Sequence, residues 1–216
     1  MTVTIGLRQL MLSPGQSVLL SGITWSQFED ILAELEEHRA NRIAYDQGML
    51  EIMVPLPEHE YFKSSIGNLI QDLAEELGIE YECFGSTTWK KQEKMVGAEP
   101  DECFYIQSLP TILGRLDINL NQDPPPDLVL EVDMTSKSLN RLQIYSRLGV
   151  PEVWRYDQGQ LWLYHLVNEE YVETERSLAF PAFPVKRIPD FVKQNLVTGR
   201  TALRRRFREW VKSYKN

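Results

Sequence analysis

The sequence predicts an α/β (α+β) fold, a mixed central β-sheet flanked by helices, with a helix and hairpin before it and helices at the C-terminus. Three observations carry this. Residues 58–77 place Phe62, Ile66, Leu69, Ile70, Leu73 and Leu77 at helical spacing. Residues 127–133 follow the two-residue period of a strand, with Leu128, Leu130 and Val132 on one face and Asp127, Val129, Glu131 and Asp133 on the other. Between and after them, short strand-like runs alternate with further helical ones, and nothing in the chain repeats.

The first element is a helix over 24–39. Thr24 followed by Gln27 forms a capping box, and Phe28, Ile31, Leu32 and Leu35 share one face. A hairpin follows at 42–54, turning at Asp46-Gln47-Gly48. Pro55 and Pro57 break the chain before the helix at 58–77, which Gly78 stops. Strands are expected at 79–84, 101–106 and 128–133, then a helix over 138–148 closed by Gly149. A strand at 150–157 leads into a hairpin whose turn is Asn168-Glu169-Glu170. Helices at 190–198 and 200–214 end the chain, which divides as a body, 1–199, and a basic terminal helix, 200–216.

At 216 residues and 43% hydrophobic, the chain can bury a substantial core. No apolar run approaches the roughly 20 residues of a membrane span, and the start lacks a signal-peptide pattern, so a cytoplasmic protein is expected. Cys83 and Cys103 have no metal-ligand spacing around them and are expected to be buried free thiols. Seven basic residues against Glu209 give the last 17 residues +6, so everything before Arg200 carries −14 within a total of −8. An acidic body argues against tight, general nucleic-acid binding, which phosphate contacts dominate. The terminal run also carries Phe207, Trp210 and Tyr214 among its arginines. Such a run either binds nucleic acid or docks Leu203, Phe207, Trp210 and Val211 on the body or a second copy.

Two stretches hold the chemistry, GAEPDECFYI at 97–106 and PPPDLVLEVDMTSKS at 124–138. A carboxylate in mid-strand is expensive unless paired, hydrogen-bonded or on a metal, so Glu131 stands where folding alone would prefer Val or Ile. If the two strands lie side by side, Asp101 and Glu131 meet. Two carboxylates there either hold a hard divalent cation or share a proton, because a pair of close ionised carboxylates repels. His165 offers no nucleophilic triad, and Ser86-Thr87-Thr88 lacks a nucleophile elbow.

Pro100-Asp101 followed some 30 residues later by Glu131 resembles the PD-(D/E)XK nuclease superfamily, the fold of restriction endonucleases. More closely, PLPEHEYFKSSIGNLI (55–70), FGSTTWKK (84–91), GAEPDECFYI (97–106), PDLVLEVDMTSKS (126–138) and IYSRLGVPEVWRYD (144–157) are similar to a family of "putative restriction endonuclease" proteins expanded in cyanobacteria. The resemblance implies a restriction-endonuclease-like domain in which Asp101 and Glu131 bind Mg²⁺ or Mn²⁺. It also implies an acid from the preceding helix, Glu60 or Glu58, beside His59. Where the superfamily carries its catalytic lysine, two positions after Glu131, this chain has Asp133. The positive charge then comes from Lys137, Arg141, Lys90 or Lys91, or else Asp133 binds a second metal. The activity implied is metal-dependent hydrolysis of DNA phosphodiester bonds. A two-fold homodimer would suit duplex cleavage. The competing expectation is a decayed nuclease fold that binds protein or DNA.

Overall fold

In a computed structural model of the chain, which describes residues 10–35, 41–134, 138–194 and 196–215, the strands form two sheets. The first contains β1 (Ser17–Ser21), β2 (Arg42–Asp46), β3 (Met49–Met53), β5 (Trp89–Lys91) and β6 (Val96–Ala98). Their order is β1-β3-β2-β6-β5, antiparallel throughout. The second contains β4 (Glu82–Cys83), β7 (Glu102–Tyr105), β8 (Leu128–Asp133), β9 (Glu152–Asp157), β10 (Gln160–Val167) and β11 (Glu170–Thr174). It runs β11-β10-β9-β8-β7-β4 and is mixed, because β8 and β9 are parallel while its other pairs are antiparallel.

The mixed sheet expected from the sequence is this second one. The hairpin predicted at 42–54 instead belongs to the first sheet, completed by β1, β5 and β6. These are strands of three to five residues, too short for their period to stand out. Its turn has φ of 47° at Gln47 and 91° at Gly48, the primed geometry that matches the twist of paired strands. The strand predicted at 79–84 shrinks to Glu82–Cys83, and a short helix, α3 (Leu109–Ile112), is additional.

Helix α1 (Trp25–Leu35) starts at the predicted capping box: Thr24 N–H donates to Gln27 Oε1 at 2.9 Å, and Gln27 N–H to Thr24 Oγ1 at 3.3 Å. Helix α2 (Pro57–Leu77) stops at Gly78 with φ 71°, which satisfies the last turn through backbone bonds to Ala74 and Glu75. Helix α4 (Arg141–Leu148) begins at Asn140, whose side chain caps Gln143 N–H, and closes at Gly149 with φ 87°. Two further helices, α5 (Ile188–Gln194) and α6 (Arg200–Lys215), complete the chain.

Three apolar clusters fill the spaces between these layers. Leu128, Leu130 and Val132 of β8 pack with Phe62, Ile66 and Leu69 of α2 and with Leu203, Phe207 and Val211 of α6. Val129, on the opposite face of β8, joins Ile144, Tyr145 and Leu148 of α4 and Ala44, Trp89 and Ala98 of the first sheet. Phe28 and Leu32 of α1 cover the far side of that sheet with Tyr45, Leu50 and Ile52. The two faces of β8 therefore have different neighbours: helices on one side, α4 and a second sheet on the other.

The basic terminal helix docks on the body. Asp72 of α2 is fully buried and accepts from Arg204 at 2.8 Å through both oxygens, and from Arg208 Nε at 2.6 Å. Arg208 also reaches Glu75 at 2.8 Å, and Lys212 lies 3.5 Å from Glu76. Trp210 packs between Phe183 and Phe191, both 4.6 Å away between ring centroids. Three cations of the run thus face acids of α2. Among the described residues, no helix is long and apolar enough to cross a membrane.

Candidate active site

The antiparallel register pairs Glu102 with Leu130, which puts Asp101 opposite Glu131 one step further along. Residues opposite each other in such a ladder point to the same face. Both carboxylates are almost fully buried, 3% and 4% exposed. Asp101 is fixed tightly: its N–H donates to Leu130 O at 3.1 Å, and its Oδ2 accepts the backbone N–H of Val132 at 2.7 Å. It therefore brackets Glu131 from both sides. His59 Nε2 lies 3.1 Å from the same Oδ2, and Arg42 Nε lies 3.7 Å from Oδ1.

Glu131 is held from across the cluster by Tyr145, whose hydroxyl donates to Oε1. Burial, with Glu131 and Asp101 close by, pushes the Tyr145 phenol well above its ordinary range, while Arg141 opposes that rise. One phenol thus feels both carboxylates and the guanidinium. Arg141, one helical turn before Tyr145, is 7% exposed; its Nη2 donates to Glu51 Oε2 at 3.2 Å. Its Nε and Nη1 are buried and have no hydrogen-bond partner among the described residues.

Glu51 is a component the sequence reading missed. This β3 residue is fully buried and also accepts the Ser138 N–H at 2.7 Å. The signal was there: LEIM at 50–53 sets an acid inside an apolar strand, the same pattern that marks Glu131. Arg42 and Tyr145 carried no comparable signal.

The other expected residues are placed as follows. Glu60 is 45% exposed at its side chain, and it bonds Arg42 Nη2 at 3.2 Å and lies 3.5 Å from His59 Nδ1. Both of those residues also lie against Asp101. Asp133 shares the face of Glu131, but its carboxylate pairs with Arg155 of β9. Lys90 pairs with Glu29 of α1. Lys137 lies outside the described residues. Asp127 anchors the chain after β7, accepting from Ile106 N at 2.6 Å and from Ser108 N at 2.9 Å. His165 lies 3.8 Å from buried Glu152. Cys83 and Cys103 are free thiols, and burial pushes Cys83 up to about 12, so neither supplies a thiolate.

Among the described residues, no three His, Cys, Asp or Glu side chains gather to hold a metal ion. Asp101 and Glu131 nevertheless fit Mg²⁺ or Mn²⁺ chemically. They are hard oxygen donors in a buried place, and Mg²⁺ is typically held by one or two carboxylates, with waters and substrate phosphate completing its shell. A cleft of about 610 Å³ opens beside this cluster, lined in part by Arg42, Lys63, Ser86, Thr88 and Lys90.

No curated protein matches the chain. Among solved structures, it is similar to a protein titled "a putative nuclease belonging to DUF820 from Anabaena variabilis ATCC 29413". The two share 16% identity with a TM-score of 0.48, over 69% of this chain and 90% of the other. The model of the Uma2 family, described as "Putative restriction endonuclease", matches residues 25–192, a span that contains every side chain of the cluster above. The chain belongs to the Uma2 family.

Proposed function

We propose that this chain is a divalent-metal-dependent endonuclease that hydrolyses DNA phosphodiester bonds. The observation that carries this reading is the buried pair Asp101 and Glu131 on one sheet face, with Arg141 buried on the same helix face as Tyr145, which bonds Glu131. Folding alone does not call for three charged side chains in that space.

Asp101 and Glu131 would hold Mg²⁺ or Mn²⁺. The chemistry such a cation would supply there is activation of a water and screening of the charge that builds on the phosphate. The chain's own residues do the rest. His59 and the Val132 N–H keep Asp101 oriented. Arg141 Nε and Nη1 have no partner among the described residues, and a guanidinium suits a phosphate oxygen. It fills the role left open by Asp133, where the superfamily has lysine. Glu60 acts at one remove, by holding Arg42 against Asp101. A buried arginine held by Glu51 loses less conformational freedom on binding than a mobile surface lysine would.

The test is cleavage of supercoiled and linear DNA with Mg²⁺ or Mn²⁺ by the native chain and by Asp101→Asn, Glu131→Gln and Arg141→Met. The expected result is cleavage that needs the cation and is lost in all three variants. Cleavage that persists in Glu131→Gln would place the chemistry elsewhere. A native chain that cuts no DNA form with either cation would overturn the proposal.

A further inference from the structure

Tyr145 is the hydrogen-bond partner of Glu131 and is fully buried. Its ring sits among Ile144, Leu148, Val129 and Val153, a cluster that phenylalanine would fill as well. The hydroxyl is therefore not explained by packing. A buried phenol without a partner is costly, and this one is satisfied by a carboxylate that the proposed chemistry uses.

The helix presenting Tyr145 is tied on both flanks. Arg141 binds Glu51 and Arg147 pairs with Asp46, which anchors α4 to β3 and β2 of the first sheet. Tyr145 then reaches β8 of the second sheet. Arg141 and Tyr145 are four residues apart and so share one helix face. The terminal torsion of a glutamate is broad, and a hydrogen bond from an anchored phenol narrows the orientations its carboxylate samples.

We propose that Tyr145 is the positioning residue of Glu131, fixing its carboxylate for a divalent cation; this rests on the metal-dependent reading above. Outer partners of metal-binding carboxylates typically contribute about 10–100-fold in metal affinity.

The experiment is calorimetric titration of Mn²⁺ into metal-stripped native protein, Tyr145→Phe and Tyr105→Phe, each with and without a phosphorothioate oligonucleotide to supply phosphate ligands. Tyr105 is the control. It is equally buried, and its hydroxyl donates to Pro124 O at 2.9 Å rather than to the site. The expected result is a dissociation constant raised about 10–100-fold in Tyr145→Phe and unchanged in Tyr105→Phe, with matching circular dichroism. Unchanged binding in Tyr145→Phe overturns the positioning role and leaves the nuclease reading standing. Tighter binding also overturns it, because the phenol would then be competing with the cation. A native chain that binds no Mn²⁺ in either condition overturns the metal-dependent reading and this inference together. Should Tyr145→Phe fail to fold, the tyrosine ultraviolet difference spectrum of the native chain on adding Mn²⁺ reads the same bond. A perturbation absent from Glu131→Gln supports the role, and no perturbation overturns it.

Discussion

Asp101 Oδ2 accepts the backbone N–H of Val132 at 2.7 Å, so the first carboxylate of the site is bolted to the strand that carries the second. The bond does two jobs, since it satisfies a buried donor and sets the spacing of Asp101 from Glu131. Asp101→Ala should therefore cost about 1–3 kcal/mol of stability, the penalty for an unsatisfied buried N–H. Asp101→Asn keeps an acceptor oxygen and should lose less, while still abolishing Mn²⁺ binding. Urea denaturation alongside calorimetry separates the two effects. Equal stability losses in both variants would show that the charge, not the acceptor, holds the strands.

Glu51 and Arg141 join the first sheet to α4 through a buried ion pair. Removing one member strands the other, so Glu51→Ala should destabilise by about 3–5 kcal/mol. The apolar double variant Glu51→Leu/Arg141→Met should recover most of that loss while remaining unable to cut DNA. Chemical denaturation of the two single variants and the double variant gives the coupling. A double variant less stable than both singles would contradict this account.

Asp72 is the clasp of the terminal helix. Because hydrogen bonds to charged groups contribute about 1.5–3 kcal/mol each, Asp72→Asn should lower stability by about that amount, the arginines being partly exposed to solvent. A protein cut before Arg200 should fare far worse, because Leu203, Phe207 and Val211 belong to the main core. Thermal melts would show it as a loss of cooperative unfolding. A truncated chain that melts as the native one does would mean that α6 is dispensable.

Glu152 supplies a pH signature. Burial pushes its carboxyl above the ordinary range, partly offset by hydrogen bonds from Trp154, Ala179 and Ser177. The folded state therefore binds this proton more tightly than the unfolded chain does. Stability relative to Glu152→Gln should be greatest below the unfolded carboxylate value, about 4.3, and should fall as pH rises through the raised folded value. Above that value the difference should level off. Denaturation midpoints of both proteins from pH 4 to pH 8 test this, and a difference that grows with pH would reverse the sign.

The sequence by itself determined the elements whose signals are local. The capping box at Thr24, the Gln47-Gly48 turn, the long period of α2 and the glycine stops at 78 and 149 all depend on residues within a few positions of each other. That Glu131 would be partnered was legible for a similar reason, because a charge inside an apolar strand needs a partner wherever the strand ends up. The identity of that partner was not legible. Tyr145 is 14 residues away and Glu51 is 90 residues from Arg141, and only the packing of α4 between two sheets brings them together. The same packing placed Arg141 against Glu51 and assigned Asp133 to Arg155. It also turned the basic run onto the acids of α2. Periodicity shows which face of an element is apolar, but long-range contacts depend on how the layers stack, and that is settled by the core as a whole.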